Sequence, residues 1–253
     1  MNRRPLLNAL CLVCLAIPAA TSAAPVQEWM ARGNAFYEEG RFDSAATYYR
    51  KVVESGMRHS AVYYNLGNAC FRLGDLGLAI LWYERAHALA PNDPDITANL
   101  KFARVQLTDR IPEPERTFLE TVLRGFHTLL PLHTQLWILL GLFAALSVLF
   151  SAALFASHNL RLWLIYLLSL GGLLCLVLGF STGYKIYRNE HVSYAIVLED
   201  RVDAVSEPKG TKVLFSVHEG TKFRIHRKID SWALVSLPNG VSGWVKRETM
   251  EEI

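Results

Sequence analysis

The sequence predicts a multi-domain chain of 253 residues: all-α helical hairpins, then a two-helix transmembrane hairpin, then a small all-β barrel. Three observations predict it. Shifted by 34 residues, Gly33-Asn34-Ala35 returns as Gly67-Asn68-Ala69, Gly40 as Gly74, Ala45 as Ala79 and Tyr49 as Tyr83. Two runs, 136–156 and 162–184, carry no charged residue. Beyond residue 195 the spacing changes to short strands punctuated by turns.

Residues 1–23 read as a secretory signal peptide: Arg3-Arg4, an apolar stretch from Leu6 to Pro18, and small residues at Ala20-Thr21-Ser22-Ala23. The stretch is short for a span, so cleavage after Ala23 is favoured over an uncleaved anchor. Arg3 and Arg4 are two of 26 basic residues set against 23 acidic ones, so the remainder is almost neutral. No basic patch able to follow a phosphate backbone is present, which argues against a nucleic-acid partner. Cys11 and Cys14 lie within the apolar core of the signal, where neither a metal site nor a redox helix forms. Cys70 and Cys175 read as small core residues.

Residues 26–109 hold the repeats, 26–59 and 60–93, followed by a capping helix at 94–108. A 34-residue period with small residues at fixed places marks the tetratricopeptide (TPR) hairpin, in which glycine and alanine let antiparallel helices approach and aromatics fill the layer between. The second repeat adds Tyr63, Leu66, Ala86 and Pro91 to the pattern; the first departs from it with Val52 and Met57. Asp93 or Asn92 caps the next helix and Pro94 enters its first turn. Ile96, Leu100, Phe102, Ala103 and Leu107 are available to cover the preceding hairpin. Two repeats and a cap are near the lower limit of independent stability, which invites support from another surface.

Pro112 and Pro114 open the linker 110–135. In it Phe118, Leu119, Val122, Leu123, Phe126, Leu129 and Leu130 are spaced as one face of an amphipathic helix, which could lie at a membrane interface or beneath the repeats. At ~1.5 Å per residue each following run crosses a hydrocarbon core of about 30 Å. Trp137, Trp163, Tyr184 and Tyr187 stand at the ends as interfacial aromatics do, and 157–161 read as the loop. A cleaved signal and an even number of spans place both soluble domains on the periplasmic side, although the positions of Arg161, Lys185 and Arg188 do not reinforce that orientation.

In 195–252, Val213–Val217 leads through Glu219-Gly220 to Thr221–Ile225, and Trp232–Leu237 leads through Pro238-Asn239-Gly240 to Val241–Val245. Asn-Gly between strands is a hairpin signal whose two turn positions call for positive φ. Trp232 and Trp244 read as barrel core. The run His218-Glu219-Gly220-Thr221, Asp230-Ser231-Trp232, Asn239-Gly240 and Gly243-Trp244-Val245 resembles the bacterial SH3-like domain, departing from it at Ser206-Glu207-Pro208.

The order of modules, with Tyr63–Ala69, Arg72-Leu73-Gly74-Asp75-Leu76-Gly77 and Pro91-Asn92-Asp93, resembles the E-type Bat (aerotolerance operon) family of bacterial membrane proteins. That resemblance implies no catalytic residue and no cofactor. It implies membrane partners carrying von Willebrand factor A domains and a MoxR-type ATPase. Similarity to TPR domains places the groove on the first helix of each hairpin and nominates Met30, Asn34, Tyr37, Tyr64, Asn65, Asn68, Phe71 and Arg72. Asn34 and Asn65 fall where chaperone-binding TPR domains hold a peptide carboxylate, but the positions that should be cationic are Met30, Asp95 and Asn99, so a carboxylate clamp is not expected. The asparagines could bind a peptide backbone or satisfy neighbouring helix groups. The eight histidines fall at no metal-ligand spacing, and no nucleophile–base set or phosphate loop can be assembled. A non-catalytic, membrane-anchored scaffold that binds protein partners through the repeat groove and the SH3-like barrel is the expected function; the alternative is a peptidoglycan-binding protein that uses the barrel, with the repeats as spacer.

Overall fold

The 34-residue echo folds as two stacked hairpins. In the computed structural model, which describes residues 23–112, 117, 118, 125 and 130–253, these are α1 (Ala23–Glu38) with α2 (Phe42–Glu54) and α3 (Ser60–Leu73) with α4 (Leu76–Leu89). The expected signal peptide up to residue 22 and most of the expected linker helix lie outside the described residues. The echoed glycines make the close approach: a Cβ on Gly33 would stand 2.6 Å from the Tyr49 ring, and one on Gly67 2.7 Å from that of Tyr83. Ala45, Ala79, Leu66 and Ala69 fill the layer at zero exposure. α5 (Pro94–Val105) follows, capped by Asp93, whose side chain accepts from the Asp95 and Ile96 amides, with Pro94 at its start. Ile96, Leu100 and Ala103 seat α5 on α4 and half-buried Leu107 packs against the same core, whereas Phe102 stays 61% exposed.

α6 (Leu132–Phe155) and α7 (His158–His191) form an antiparallel pair, both long and apolar enough to cross a membrane. Helix resumes at His158, so the link is shorter than the expected loop 157–161. Gly171 brings the helices together, a Cβ there falling 2.6 Å from Leu146. At the opposite end Thr182 reaches buried Gln135 at 3.4 Å and Lys185 donates to the Leu130 carbonyl at 2.7 Å. The chain therefore enters α6 and leaves α7 at the same end of the hairpin.

One residue after α7 the chain becomes a sheet: β1 (Ser193–Val197), β2 (Arg201–Val205), β3 (Val213–His218), β4 (Lys222–Ile229), β5 (Trp232–Ser236), β6 (Ser242–Lys246) and β7 (Met250–Glu252). All pairings are antiparallel, in the order β3-β2-β6-β5-β4-β1-β7. The expected barrel is not closed: β3 and β7 are unpaired edges, and β2 meets β6 at Val205 and Trp244, where the β2–β3 ladder is bulged. The sheet instead curls over its own apolar face, where Val202, Val217, Phe223, Val235 and Val245 form one cluster.

Two expectations fail here for physical reasons. Trp232 and Trp244 are half-buried on the outer face, because the strand alternation turns the compact Ala233, Val235 and Val245 inward. In the turn at 237–240 only Gly240 has positive φ, since Pro238 fixes its own φ negative and the Gly240 amide closes onto the Leu237 carbonyl.

The sheet docks on the back of the repeats. Ile196 of β1 is fully buried in the helical core, with Leu198 and Ile253 beside it. The segment His218–Thr221 makes the polar contacts. Asp109 accepts from the His218 amide at 2.6 Å and the Thr221 hydroxyl at 2.8 Å, and its other oxygen lies 2.9 Å from His218 Nδ1. Glu219 accepts at 3.1 Å from the Gly77 amide, one of the orphan donors at the start of α4. Gly220, at φ +79°, lies where a Cβ would meet Leu107 at 2.4 Å and Ile80 at 2.9 Å. Nearby, Glu84 is 4% exposed and pairs with Arg104 and, at 2.7 Å, with Lys222. Burial alone would push its carboxyl up; the two cations hold it below the ordinary value.

Candidate functional site

The face opposite this dock is open. α1, α3 and α5 line it, and α5 repeats α3 at the same 34-residue shift: Asn65 is followed by Asn99, and Asn34 and Asn68 by Phe102. The asparagines and tyrosines form a ladder with that period. Tyr49 donates to Asn34 Oδ1 at 2.9 Å, and Tyr83 to Asn68 Oδ1 at 2.7 Å. Asn65 Nδ2 reaches Asn34 Oδ1 at 3.3 Å; Asn99 Nδ2 reaches Asn68 Oδ1 at 2.9 Å and the Tyr64 hydroxyl at 3.0 Å. Burial holds both phenols in the donating form, that of Tyr49 pushed up to about 12 and that of Tyr83 likewise raised.

Each Asn34 and Asn68 carbonyl thus accepts two hydrogen bonds from within the fold. Their Nδ2 groups, and the Oδ1 atoms of Asn65 and Asn99, engage no partner among the described residues. An extended peptide presents the same pair of functions, a carbonyl and an amide, at every residue. The ladder fixes the amide planes from behind and leaves their other edges toward solvent. Asn34, Tyr37, Glu38, Tyr49, Asn65 and Asn68 enclose a cleft of about 220 Å³.

Of the sequence-nominated residues, the structure brings Asn34, Tyr37, Asn65 and Asn68 around this cleft. Tyr64 joins the ladder through Asn99. Phe71 and Arg72 lie further along. The Phe71 ring packs 5.7 Å from that of Phe102, and the Arg72 guanidinium stacks 4.3 Å from the Phe42 ring centroid. Met30 packs into the helical core. The groove therefore runs from an amide-rich end to an aromatic, apolar end. Sequence reasoning missed Tyr49, Tyr83, Asn99 and Phe102 as members. The shift of 34 carried into α5 would have found Asn99 and Phe102.

Among the described residues no group of three or more His, Cys, Asp or Glu could hold a metal ion. Cys70, buried with its thiol pushed up to about 11, is a poor nucleophile.

A family model described as tetratricopeptide repeat matches residues 30–94. Those residues, which fall within the two helical hairpins and the start of α5, are similar to TPR hairpins. No curated protein matches the chain. Among solved structures, the chain is similar to the first TPR of Spaghetti (RPAP3) bound to the HSP90 peptide SRMEEVD, at 20% identity and a TM-score of 0.23, over 32% of this chain and 92% of that one. TPR hairpins are protein-interaction scaffolds and typically carry no catalytic residue.

Proposed function

We propose that the chain is a non-catalytic, membrane-anchored scaffold whose groove binds an extended segment of a protein partner. The observation that carries this reading is the Asn–Tyr ladder, which holds four amide side chains with unspent donors and acceptors on an accessible concave face. Asn34, Tyr37, Tyr64, Asn65, Asn68, Phe71 and Arg72 are the proposed contact residues. The amides would pair with the partner's backbone, and the aromatics would cover an apolar side chain. α6 and α7 would hold the scaffold in the bilayer, and the common end of that hairpin supports a reading in which the repeats and the sheet would lie on one side of it.

The signal-like N-terminus favours the periplasmic side of a bacterial inner membrane. The resemblance to the E-type Bat family favours partners with von Willebrand factor A domains, alongside a MoxR-type ATPase. The sheet, resembling an SH3-like domain with its His218–Thr221 segment spent on the repeats, acts here as a brace for the groove. Purification in mild detergent tests the reading. The wild-type chain should carry stoichiometric membrane partners, and a Tyr37→Ala, Arg72→Glu variant that keeps its unfolding temperature should lose them. Partners retained by that variant would reject the groove as the site.

A further inference from the structure

The membrane reading places a bilayer at the end of α7, and the sheet register says which part of the β-domain stands nearest to it. β1 begins at Ser193, opposite Ile225 of β4. Because the two strands are antiparallel, β4 beyond Ile225 runs back along the side from which α7 arrives. The apolar stretch of α7 extends to Tyr187, and four helical residues with one linking residue then cover about 10 Å before β1. From Ile225 the strand continues through His226, Arg227, Lys228 and Ile229 to the turn Asp230-Ser231, about 16 Å at ~3.3 Å per residue. The β4–β5 hairpin is therefore long enough to reach the headgroup layer.

Its chemistry fits that layer. Ile229 pairs with Trp232 and Arg227 with Leu234, all on the outer face opposite the sheet core, and Trp244 stands beside Leu234. Ile229 is 40% exposed and both indoles are half-buried. Arg224 and Arg227 are exposed and meet no carboxylate among the described residues. The neighbouring cations have partners: Lys228 is paired with Glu252 at 2.6 Å, Lys246 with Glu248 at 3.3 Å, and Arg247 donates to the Asp230 carbonyl at 3.3 Å. An indole and a β-branched side chain flanked by unpaired guanidiniums match a surface that is apolar within and anionic at its rim. An outward tryptophan in the folded domain thereby gains a partner.

We propose that the β4–β5 hairpin is a lipid-contacting foot: Arg224 and Arg227 bind anionic headgroups, and Ile229 and Trp232 enter the interface of the same bilayer that α6 and α7 cross. This inference rests on the membrane reading. The foot would fix the height and tilt of the groove above the bilayer, since the sheet is rigidly docked on the repeats.

The test uses the full chain with its four cysteines replaced by alanine and one fluorophore, at Ser231→Cys on the hairpin tip or at Asn239→Cys on the turn at the opposite end of the sheet. Each is placed in nanodiscs of phosphatidylcholine alone, or with about one-third phosphatidylglycerol, containing a headgroup-nitroxide lipid. The foot predicts quenching at position 231 at least about threefold above that at 239 in anionic discs. Arg224→Glu with Arg227→Glu should reduce it to the 239 level, as should raised salt. Equal quenching at the two positions, or quenching indifferent to the charge reversal, in chains that co-migrate with the discs would overturn the foot alone. Chains that elute apart from the discs would overturn the membrane reading and the foot together.

Discussion

The two faces of the repeats are built from different chemistry. The back, against the sheet, is held by full charges: Glu84 between Arg104 and Lys222, Asp109 beneath His218 and Thr221, and Arg85 at 2.7 Å from Glu251. The groove is held by neutral groups, four asparagines and three tyrosines. Buried charges are stable only when every one is paired, so they suit a contact that stays closed. Amides can share one atom with the fold and offer another to a ligand, which suits a face that opens and closes. The choice between charge and amide thus separates an internal joint from a binding surface.

The largest effect falls at the joint. Gly220→Val would force a β-branched residue into φ +79° and drive its Cβ onto Leu107 and Ile80. Backbone strain of about 1–3 kcal/mol and the clash together should cost about 4 kcal/mol. Hydrogen exchange would show β1 and α4 losing protection together while α1–α2 keep theirs. Unchanged protection in α4 would mean that the sheet does not brace the repeats.

Next comes the charge at Glu84. Arg104→Met with Lys222→Met leaves a 4% exposed carboxylate without a cation and should cost about 3 kcal/mol at neutral pH. The pH dependence sharpens the contrast. Glu84 and Asp109 are held below their ordinary values of 4.5 and 3.8, and burial holds His87 below 6.5, so all three contribute stability that is present at neutral pH and lost as pH falls. The joint should begin to loosen as pH falls below 6.5, where His87 would protonate in the unfolded chain, and weaken further below 4.5 and then 3.8 as the Glu84 and Asp109 contributions are lost. In the double variant the Glu84 carboxyl is raised instead, and the acid loss becomes shallower. The groove behaves oppositely: Tyr49, raised from 10 to about 12, supports folding below pH 10 and ceases to as pH rises toward 12. Unfolding temperature across pH 4–12 reads both limbs. A double variant as acid-labile as wild type would remove Glu84 from the joint.

How far the sequence showed this contrast can be read from α2 and α4. The period of 34 fixed both hairpins, and the same shift pairs Thr47 with Leu81 and Arg50 with Glu84. Thr47 and Arg50 are exposed, while Leu81 and Glu84 are buried. The departure of the second repeat from the first is therefore the trace of the docked sheet, legible in an apolar run, Ile80-Leu81-Trp82, where an exposed face was due. What covers that run was not legible, because the contact joins residues more than 100 positions apart and His218–Thr221 carries no local mark of its target. The inward face of β5 was hidden for a different reason. In Trp232-Ala233-Leu234-Val235 either alternate set could form a core, and the tight curl of the sheet admits the smaller one. The groove was half legible: Asn34, Asn65 and Asn68 were visible, whereas the tyrosines that hold them look like ordinary core.

Within the groove, Asn68→Ala removes the acceptor shared by Tyr83 and Asn99 and leaves a buried phenol unpaired, a loss of about 2 kcal/mol. Asn34→Ala frees the hydroxyl of Tyr49 in the same way. Asn34 is exposed where Asn68 is half-buried, so water can replace part of the bond and about 1 kcal/mol is expected. A double-mutant cycle between Asn68→Ala and Tyr83→Phe should show coupling of about 1 kcal/mol, and zero coupling would dissolve the ladder as a structural unit.

The smallest effect on stability should be the most telling for function. Phe102 is 61% exposed on the groove face, its ring 5.7 Å from that of Phe71, at the place where the two earlier repeats carry Asn34 and Asn68. A surface ring of this size left in water contributes little to folding, so Phe102→Ser should change stability by about 0.5 kcal/mol. If the aromatic end receives an apolar side chain of the partner, the same substitution uncovers that contact and should weaken partner retention by about tenfold, the scale of one buried aromatic anchor. Gly220→Val reverses the ratio, with a large stability loss and weaker binding only as the fold loosens. Plotting partner retention against unfolding temperature for both variants separates the faces. Phe102→Ser falling on the same line as Gly220→Val would mean that the aromatic end is merely unfinished core.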